Sequence, residues 1–359
     1  MTLFDLAAPQ KILIIKPSAL GDIVHALPVL NLLKRRWPNA QISWLVGSSF
    51  ADLLENHPQL HEVIRFDRHR FARAWWNPLA LFEMFAFGVG LRRRHFDLVI
   101  DLQGLLRSGL TAKLARSPIR VGFSNARELA WMFYTHRVSA AKDQHALDRN
   151  LMIAESLGCG SAPVEFVLPV DEADRKYIRA MLPSNQPYAV LLPGTNWLTK
   201  RWPVEYFASL VGPLRQRYNF ASVVAGGADA AALARQIDGA VDLTQRTNLK
   251  QLAALLAGAE VVIANDSGPM HIAAALGRPL VTMFGPTNPL RTGPWSRDDS
   301  VVRVDIQCSP CYSRTCSHIS CMKWLGPEAV LRMVHEQIEK HQASRRPGWQ
   351  IVPGETVPA

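Results

Sequence analysis

The stretch Asn265-Asp266-Ser267-Gly268-Pro269 combines a carboxylate, a hydroxyl and a glycine at one break in the chain. It ends a β-branched run, Val261–Ala264, and opens a helical pattern over Met270–Leu276. The run reads as a buried strand, Ser267 as the helix cap and Pro269 as an early helical residue. Gly277 and Pro279 end the helix, and Leu280–Phe284 reads as the next buried strand. The first amides of a helix lack partners inside it, and Gly268 lets a ligand approach the backbone closely. Such a place attracts an anion, most often a phosphate. The Asp266 carboxylate would repel phosphate, so it suits sugar hydroxyls or the orientation of a neighbour. A sugar joined to a phosphate fits both parts of the loop, although an ordinary capped strand-to-helix turn would read the same way.

A second chemical loop lies near the start. Lys11–Ile15 is a β-type run, followed by Lys16-Pro17-Ser18-Ala19-Leu20-Gly21-Asp22 and a helical pattern over Ile23–Arg36. The loop lacks G-x-G-x-x-G, so no dinucleotide cofactor is signalled. Asp22 falls in the first helical turn, where the dipole favours its charged form. It reads either as a stabiliser of the helix start or as a general base at a strand end, where open α/β sheets hold their ligands.

The elements that must position these loops alternate along the whole chain. In the first half, Gln41–Val46, Val63–Phe66, Phe96–Leu102 and Ile119–Gly122 read as strands. Gln103, Arg107, His145, Asp148 and Arg149 follow them. A linker is expected over 171–187, with a helix inside it. Alternation then resumes with Tyr188–Leu192, the loop Pro193–Pro203, a helix over Glu205–Tyr218, and the strand Ala221–Ala225 closing on Gly226-Gly227. Two parallel-sheet domains, 1–170 and 188–345, are therefore expected to face a cleft, with a disordered tail at 346–359.

Composition narrows the partners. The 359 residues are 48% hydrophobic and 19% charged, with a net charge of +10, so the chain reads as globular with an anionic partner. No apolar run is long enough to span a bilayer, and MTLFDLAAPQ lacks the basic region of a signal peptide. A cytoplasmic protein with reduced cysteines is expected. Between Phe66 and Arg94, arginines including Arg68, Arg70 and Arg73 precede Trp75-Trp76 and LALFEMFAFGVGL, and Arg92-Arg93-Arg94 follow. That pattern suits a surface resting on anionic headgroups. An ordinary amphipathic helix with a basic face is the plainer alternative.

With both loops placed, three motifs become specific together: KPSALGD–HALPVL, PGTNWLTKRWP and NDSGPMHIAAALGRPLVTMFGPT. They resemble the lipopolysaccharide heptosyltransferases of glycosyltransferase family 9, over nearly all of residues 10–340. The resemblance implies the α/β GT-B fold, two Rossmann-like domains facing a central cleft. It implies transfer of heptose from ADP-heptose to Kdo of the lipid A inner core, at the cytoplasmic face of the inner membrane. VIDLQGLLRSGL, ARELAWMFY and HALDRN resemble type I enzymes, whereas KRWP and NDSGPMH are more like type II; the acceptor-binding half favours type I.

The same resemblance assigns residues. Asp22 matches the catalytic base, with Ser18 and Gly21 in its loop on the acceptor side. Lys200 matches the lysine that counters the donor's charge, preceded by Thr195 and Asn196. Asp266, Ser267, Gly268 and His271 match the loop that grips diphosphate and sugar, and Asp229 is the carboxylate expected at the ribose. Arg70, Arg73, Gln103 and Arg107 fall where the acceptor's acidic groups are met. Lys200 and the helix start can stabilise the leaving ADP as a metal does elsewhere, so metal-independent single displacement with inversion is expected.

Cys308, Cys311, Cys316 and Cys321 are four thiols in fourteen residues, compatible with a structural zinc but also with reduced thiols packing a loop. Three other functions stay open: a type II enzyme, a GT-B sugar-nucleotide epimerase, and a nucleic-acid-binding module. No recognition helix or RNA-binding motif supports the last.

Overall fold

The computed structural model describes residues 8–345 apart from positions 74, 142, 161–162 and 184–185. The tail 346–359 lies outside the described residues.

The β-branched runs become two parallel sheets. The first holds β1 (Lys11–Ile15), β2 (Gln41–Gly47), β3 (Glu62–Phe66), β4 (Leu98–Asp101), β5 (Ile119–Phe123) and β6 (His136–Val138), in the order β3-β2-β1-β4-β5-β6. The second holds β7 (Tyr188–Leu192), β8 (Ala221–Val224), β9 (Val241–Asp242), β10 (Val261–Asn265), β11 (Leu280–Phe284) and β12 (Val301–Arg303), in the order β12-β11-β10-β7-β8-β9. Counted from its own first strand, each half has the same order as a doubly wound nucleotide-binding sheet. Helices cover both faces, which is why β1, β10 and β11 read as unbroken apolar runs rather than alternating ones. The architecture is the α/β, two-domain GT-B arrangement expected.

Strand order reverses between β1 and β4 in one half and between β7 and β10 in the other. Crevices open at the carboxyl ends beside such reversals. The loops after these four strands therefore carry the chemistry.

Three details differ from expectation. The single helix expected over Ile23–Arg36 is two, Leu20–Val24 and Leu27–Arg36. Pro28 has no amide to continue the first helix and sits in the opening turn of the second. The short strands β6 and β12 were not anticipated, because three residues give too little pattern to read. Within the expected linker, the helix Glu172–Met181 packs on Leu249–Gly258 of the second half. Lys250 Nζ lies 3.2 Å from Asp171, and the Tyr177 hydroxyl donates to the Arg246 carbonyl at 2.8 Å. Earlier, Glu165 pairs with Arg35 at 2.7 Å in the first half.

One apolar cluster runs through both sheets, including Ile14, Val24, Met270 and Val262. At its centre the helix Leu20–Val24 packs directly on the helix Gly268–Ala275. Two glycines permit that approach. A Cβ on Gly21 would collide with the His271 ring, and one on Gly268 would lie 2.7 Å from Leu20 Cβ. The Asp22 loop is thereby held against the Asp266 loop.

Candidate active site

A cavity of about 910 Å³ opens between the carboxyl edges of the two sheets. Gly21 and Asp22 line it from the first half. Thr195, Asn196 and Lys200 reach it from the loop after β7, Asp229 from beyond β8, and Asp266, Ser267, Gly268 and His271 from the loop after β10.

Asp22 keeps both of its readings. Its Oδ2 accepts from the Ala19 amide at 3.2 Å, stabilising the start of the helix, while the side chain borders the cavity. That bond fixes the carboxylate's direction, which a base needs.

Opposite it, Lys200 Nζ lies 2.6 Å from Asp266 Oδ2, and both side chains are largely buried. The Thr287 hydroxyl donates to the same oxygen at 2.6 Å, and the Thr195 hydroxyl to the Asp266 carbonyl at 3.3 Å. Lys200 also sits 4.7 Å above the Trp197 ring, which Arg314 shares at 4.7 Å. Of the two roles open to Asp266, orienting a neighbour is the one present here. The pair places an ammonium at the cleft with two N–H directions left for a ligand.

Ser267 occupies the cap position in extended conformation, but its side chain makes no cap hydrogen bond. Its Oγ is buried and has no partner among the described residues. An unsatisfied buried hydroxyl is costly, and here it adjoins the open amides of a helix start. Hydrogen-bond donors gathered at a helix start suit an anion.

Beneath the cavity three imidazoles meet across the halves. The His25 ring is 4.4 Å from that of His271 and 4.9 Å from that of His145, both edge-on. Burial, reinforced by His145 and Lys200, pushes His271 down to about 3. Burial and the two facing histidines hold His25 well below the ordinary range. Both are neutral near pH 7, so His271 serves the site as a dipole and packing surface rather than a cation.

A second cavity of about 460 Å³ lies within the first half, lined by Ser18, Gln103 and Arg107. Ser49 and Phe50 border both cavities, so the two share a wall. The Ser18 amide donates to Gln103 Oε1 at 3.3 Å. Buried Asp101 shapes this loop: its Oδ1 accepts from the amides of Gln103 and Gly104 at 2.8 and 3.1 Å, and its Oδ2 from the Tyr134 hydroxyl at 2.6 Å. Burial pushes the Asp101 carboxyl up, against those bonds.

Arg70 and Arg73 are not brought to either cavity. Arg70 pairs with Glu83, and Arg68 of the same loop lines the smaller cavity instead. Sequence alone could not separate these arginines, because a short helix, Arg68–Phe71, turns them to different sides. Trp197 and Thr287, inside the matched motifs, and Tyr312 and Arg314, outside them, also belong to the site's surroundings, and no pattern in the sequence marks them as such.

The four clustered cysteines are free thiols, and burial pushes Cys321 up, with Cys311, Cys308 and Cys316 adding to the effect. Among the described residues no group of three or more His, Cys, Asp or Glu side chains is arranged to hold a metal ion. The loop that carries them is tied to the Lys200 segment: the Thr199 hydroxyl donates to the Ser313 carbonyl at 2.8 Å.

A facing carboxylate and ammonium across a cleft between two doubly wound sheets is a group-transfer site in form. Residues 84–321 match the model of glycosyltransferase family 9, the heptosyltransferases. The chain belongs to this family. It is therefore a glycosyltransferase.

Lipopolysaccharide heptosyltransferase 1 of Pseudomonas aeruginosa is 35% identical over 320 residues, 86% of this chain and 88% of the relative. Lipopolysaccharide heptosyltransferase 2 of Escherichia coli K12 is 29% identical over 323 residues, 82% of this chain and 88% of the relative. Among solved structures, the E. coli heptosyltransferase WaaC with ADP superposes with a TM-score of 0.74 at 30% identity, covering 91% of this chain and 99% of that one. Family membership and the type 1 relatives favour the heptosyltransferase reading over the epimerase and nucleic-acid alternatives.

Proposed function

We propose that this enzyme transfers L-glycero-D-manno-heptose from ADP-heptose to Kdo of the lipid A inner core, by one displacement with inversion. The observation that carries this reading is the facing of Asp22 against Lys200, Asp266, Ser267 and Gly268 across one cavity. ADP-heptose lies along the second half, its diphosphate on the Ser267–Gly268 amides and Lys200, with Asp229 toward the ribose and Thr195 and Asn196 flanking. Asp22 takes the proton of the acceptor hydroxyl as its oxygen bonds the anomeric carbon. The bond from that carbon to the β-phosphate oxygen breaks, and ADP leaves with the electron pair. The ammonium and amides stabilise the charge that develops there. These groups account for the step without a metal; a chelator is expected to leave the initial rate unchanged.

The smaller cavity, with Ser18, Gln103, Arg107 and Arg68, takes the acceptor's acidic inner core, and Arg70 and Arg73 meet more distal groups. The helix Pro78–Arg93 supports lipid contact. Trp75, Phe82 and Phe85 are 84%, 67% and 66% exposed, and Leu106 and Leu110 of the neighbouring helix are exposed beside them. Arg68, Arg73, Arg92 and Arg93, all exposed, flank this apolar stretch in the chain. It suits a protein that rests on the anionic cytoplasmic leaflet of the inner membrane without crossing it.

The test is to incubate the enzyme with ADP-heptose and either Kdo₂-lipid A or its monoheptosylated form. One added heptose on Kdo₂-lipid A is the expected product mass. Addition only to the monoheptosylated acceptor would make it a type II enzyme, and donor rearrangement without acceptor would make it an epimerase.

A further inference from the structure

Two arginines outside the assigned site, Arg149 and Arg291, sit on the two segments that join the halves. The helix Ala146–Ser156 of the first half is docked on residues 291–295 of the second by two bonds. His145 Nε2 lies 3.1 Å from the Gly293 carbonyl, and the Trp295 indole donates to Asp148 at 2.8 Å. The first bond fixes the His145 tautomer, because His145 Nδ1 accepts from the Leu147 amide at 3.2 Å.

Arg149 follows Asp148 on the first-half segment, and Arg291 precedes Gly293 on the second-half segment. Arg149 lies 4.8 Å over the Phe123 ring and donates to Asn125 at 3.2 Å, while its Nε is buried without a partner among the described residues. Arg291 lines the cleft and reaches only the Tyr312 ring, at 5.9 Å. Neither is ion-paired among the described residues, and the neighbouring carboxylate, Asp148, is taken by Trp295. Burial and the charge of Arg291 hold the Arg149 guanidinium below its ordinary range, and Asp22 opposes them. The positive charge of Arg291 disfavours that of Arg149, and an anion bound by both relieves the repulsion.

We propose that Arg149 and Arg291 form a two-sided anion clamp beside Asp22, binding an oxyanion group of a substrate, carboxylate or phosphate, and drawing the two halves onto it. Guanidinium is the side chain suited to grip either group through two parallel bonds. Within the proposed reaction, on which this inference rests, the group is the acceptor sugar acid's carboxylate or the donor's diphosphate. Because one arginine comes from each half, the anion links substrate binding to closure of the cleft over Asp22.

The experiment compares full-length wild type with Arg149→Gln, Arg291→Gln, the double variant and the corresponding lysine variants. Calorimetry measures binding of ADP and of free Kdo, and steady-state assays measure the acceptor KM. Each Gln variant is expected to weaken one ligand about tenfold, with partial recovery in the Lys variants. Inorganic phosphate should compete with that ligand in wild type and not in the double variant. A raised acceptor KM and weakened Kdo binding with ADP affinity kept would identify the carboxylate; weakened ADP binding alone would identify the diphosphate. Every parameter within twofold of wild type in all Gln variants would overturn the clamp. Should Arg149→Gln fail to fold, Arg291→Gln, at an exposed position, decides the matter alone. Absence of any transfer by wild type would defeat the functional reading, while the ADP and Kdo binding arms would still judge the clamp.

Discussion

The two halves share one topology and put it to opposite uses. The loop after β1 carries Asp22, and its counterpart after β7 carries Lys200; the loop after β4 carries Gln103 and Arg107, and its counterpart after β10 carries Asp266-Ser267-Gly268. In both cases the chemistry sits at the strand-order reversal, where the sheet leaves a crevice. One half offers a carboxylate beside a small cavity bounded by an apolar, arginine-edged surface. The other offers an ammonium and unpaired helix amides. A repeated scaffold supplies the places, and the loop residues decide which reactant each place takes.

The largest expected effect removes the first half's contribution. Asp22→Asn should lower kcat about a thousandfold while ADP affinity stays within twofold, since the proposed donor site lies in the other half. Near-normal turnover would reject Asp22 as base. Next is the mirror change: Lys200→Ala should weaken ADP binding about tenfold and also lower kcat, because it leaves the Asp266 carboxylate with the Thr287 hydroxyl but no cation. If calorimetry returned unchanged ADP affinity, the donor side would be misassigned.

A smaller effect tests how closely the halves must approach. Gly21→Ala forces the His271 ring to move, so kcat should fall about tenfold while ADP binding persists. A variant with unchanged kcat would mean that the observed approach does not matter to turnover.

Stability gives the mildest contrast. His271 is held near 3 when folded, against about 6.5 when unfolded. The unfolded chain therefore binds the extra proton, so this stability is complete above pH 6.5 and is lost as pH falls toward 3. His271→Gln should flatten the loss measured by denaturant unfolding by up to about 1.4 kcal/mol per pH unit between roughly pH 6 and 4. An unaltered slope would assign the acid sensitivity elsewhere.

Much of this comparison was legible in the sequence. The apolar runs that became β1, β7, β10 and β11 could be read because strands buried on both faces need no alternation. Asp22, Lys200 and the Asp266 loop could be placed because loops follow strand ends. What stayed hidden was pairing across distance. His25 ends one helix, His145 begins a second and His271 lies on a third, and no periodicity links them. The Lys200–Asp266 pair and the joining of the segments that carry Arg149 and Arg291 depend likewise on how two sheets meet. Local pattern could not tell Arg68 from Arg70 either, since that depended on the turn of a helix of four residues.

The most direct test of two halves acting across one cleft is the configuration of the product, read by nuclear magnetic resonance of the newly formed heptosyl linkage. Direct attack by a hydroxyl deprotonated at Asp22 gives an anomeric centre inverted relative to the donor. A retained configuration would require two displacements or attack from the leaving group's own face, and would contradict the account.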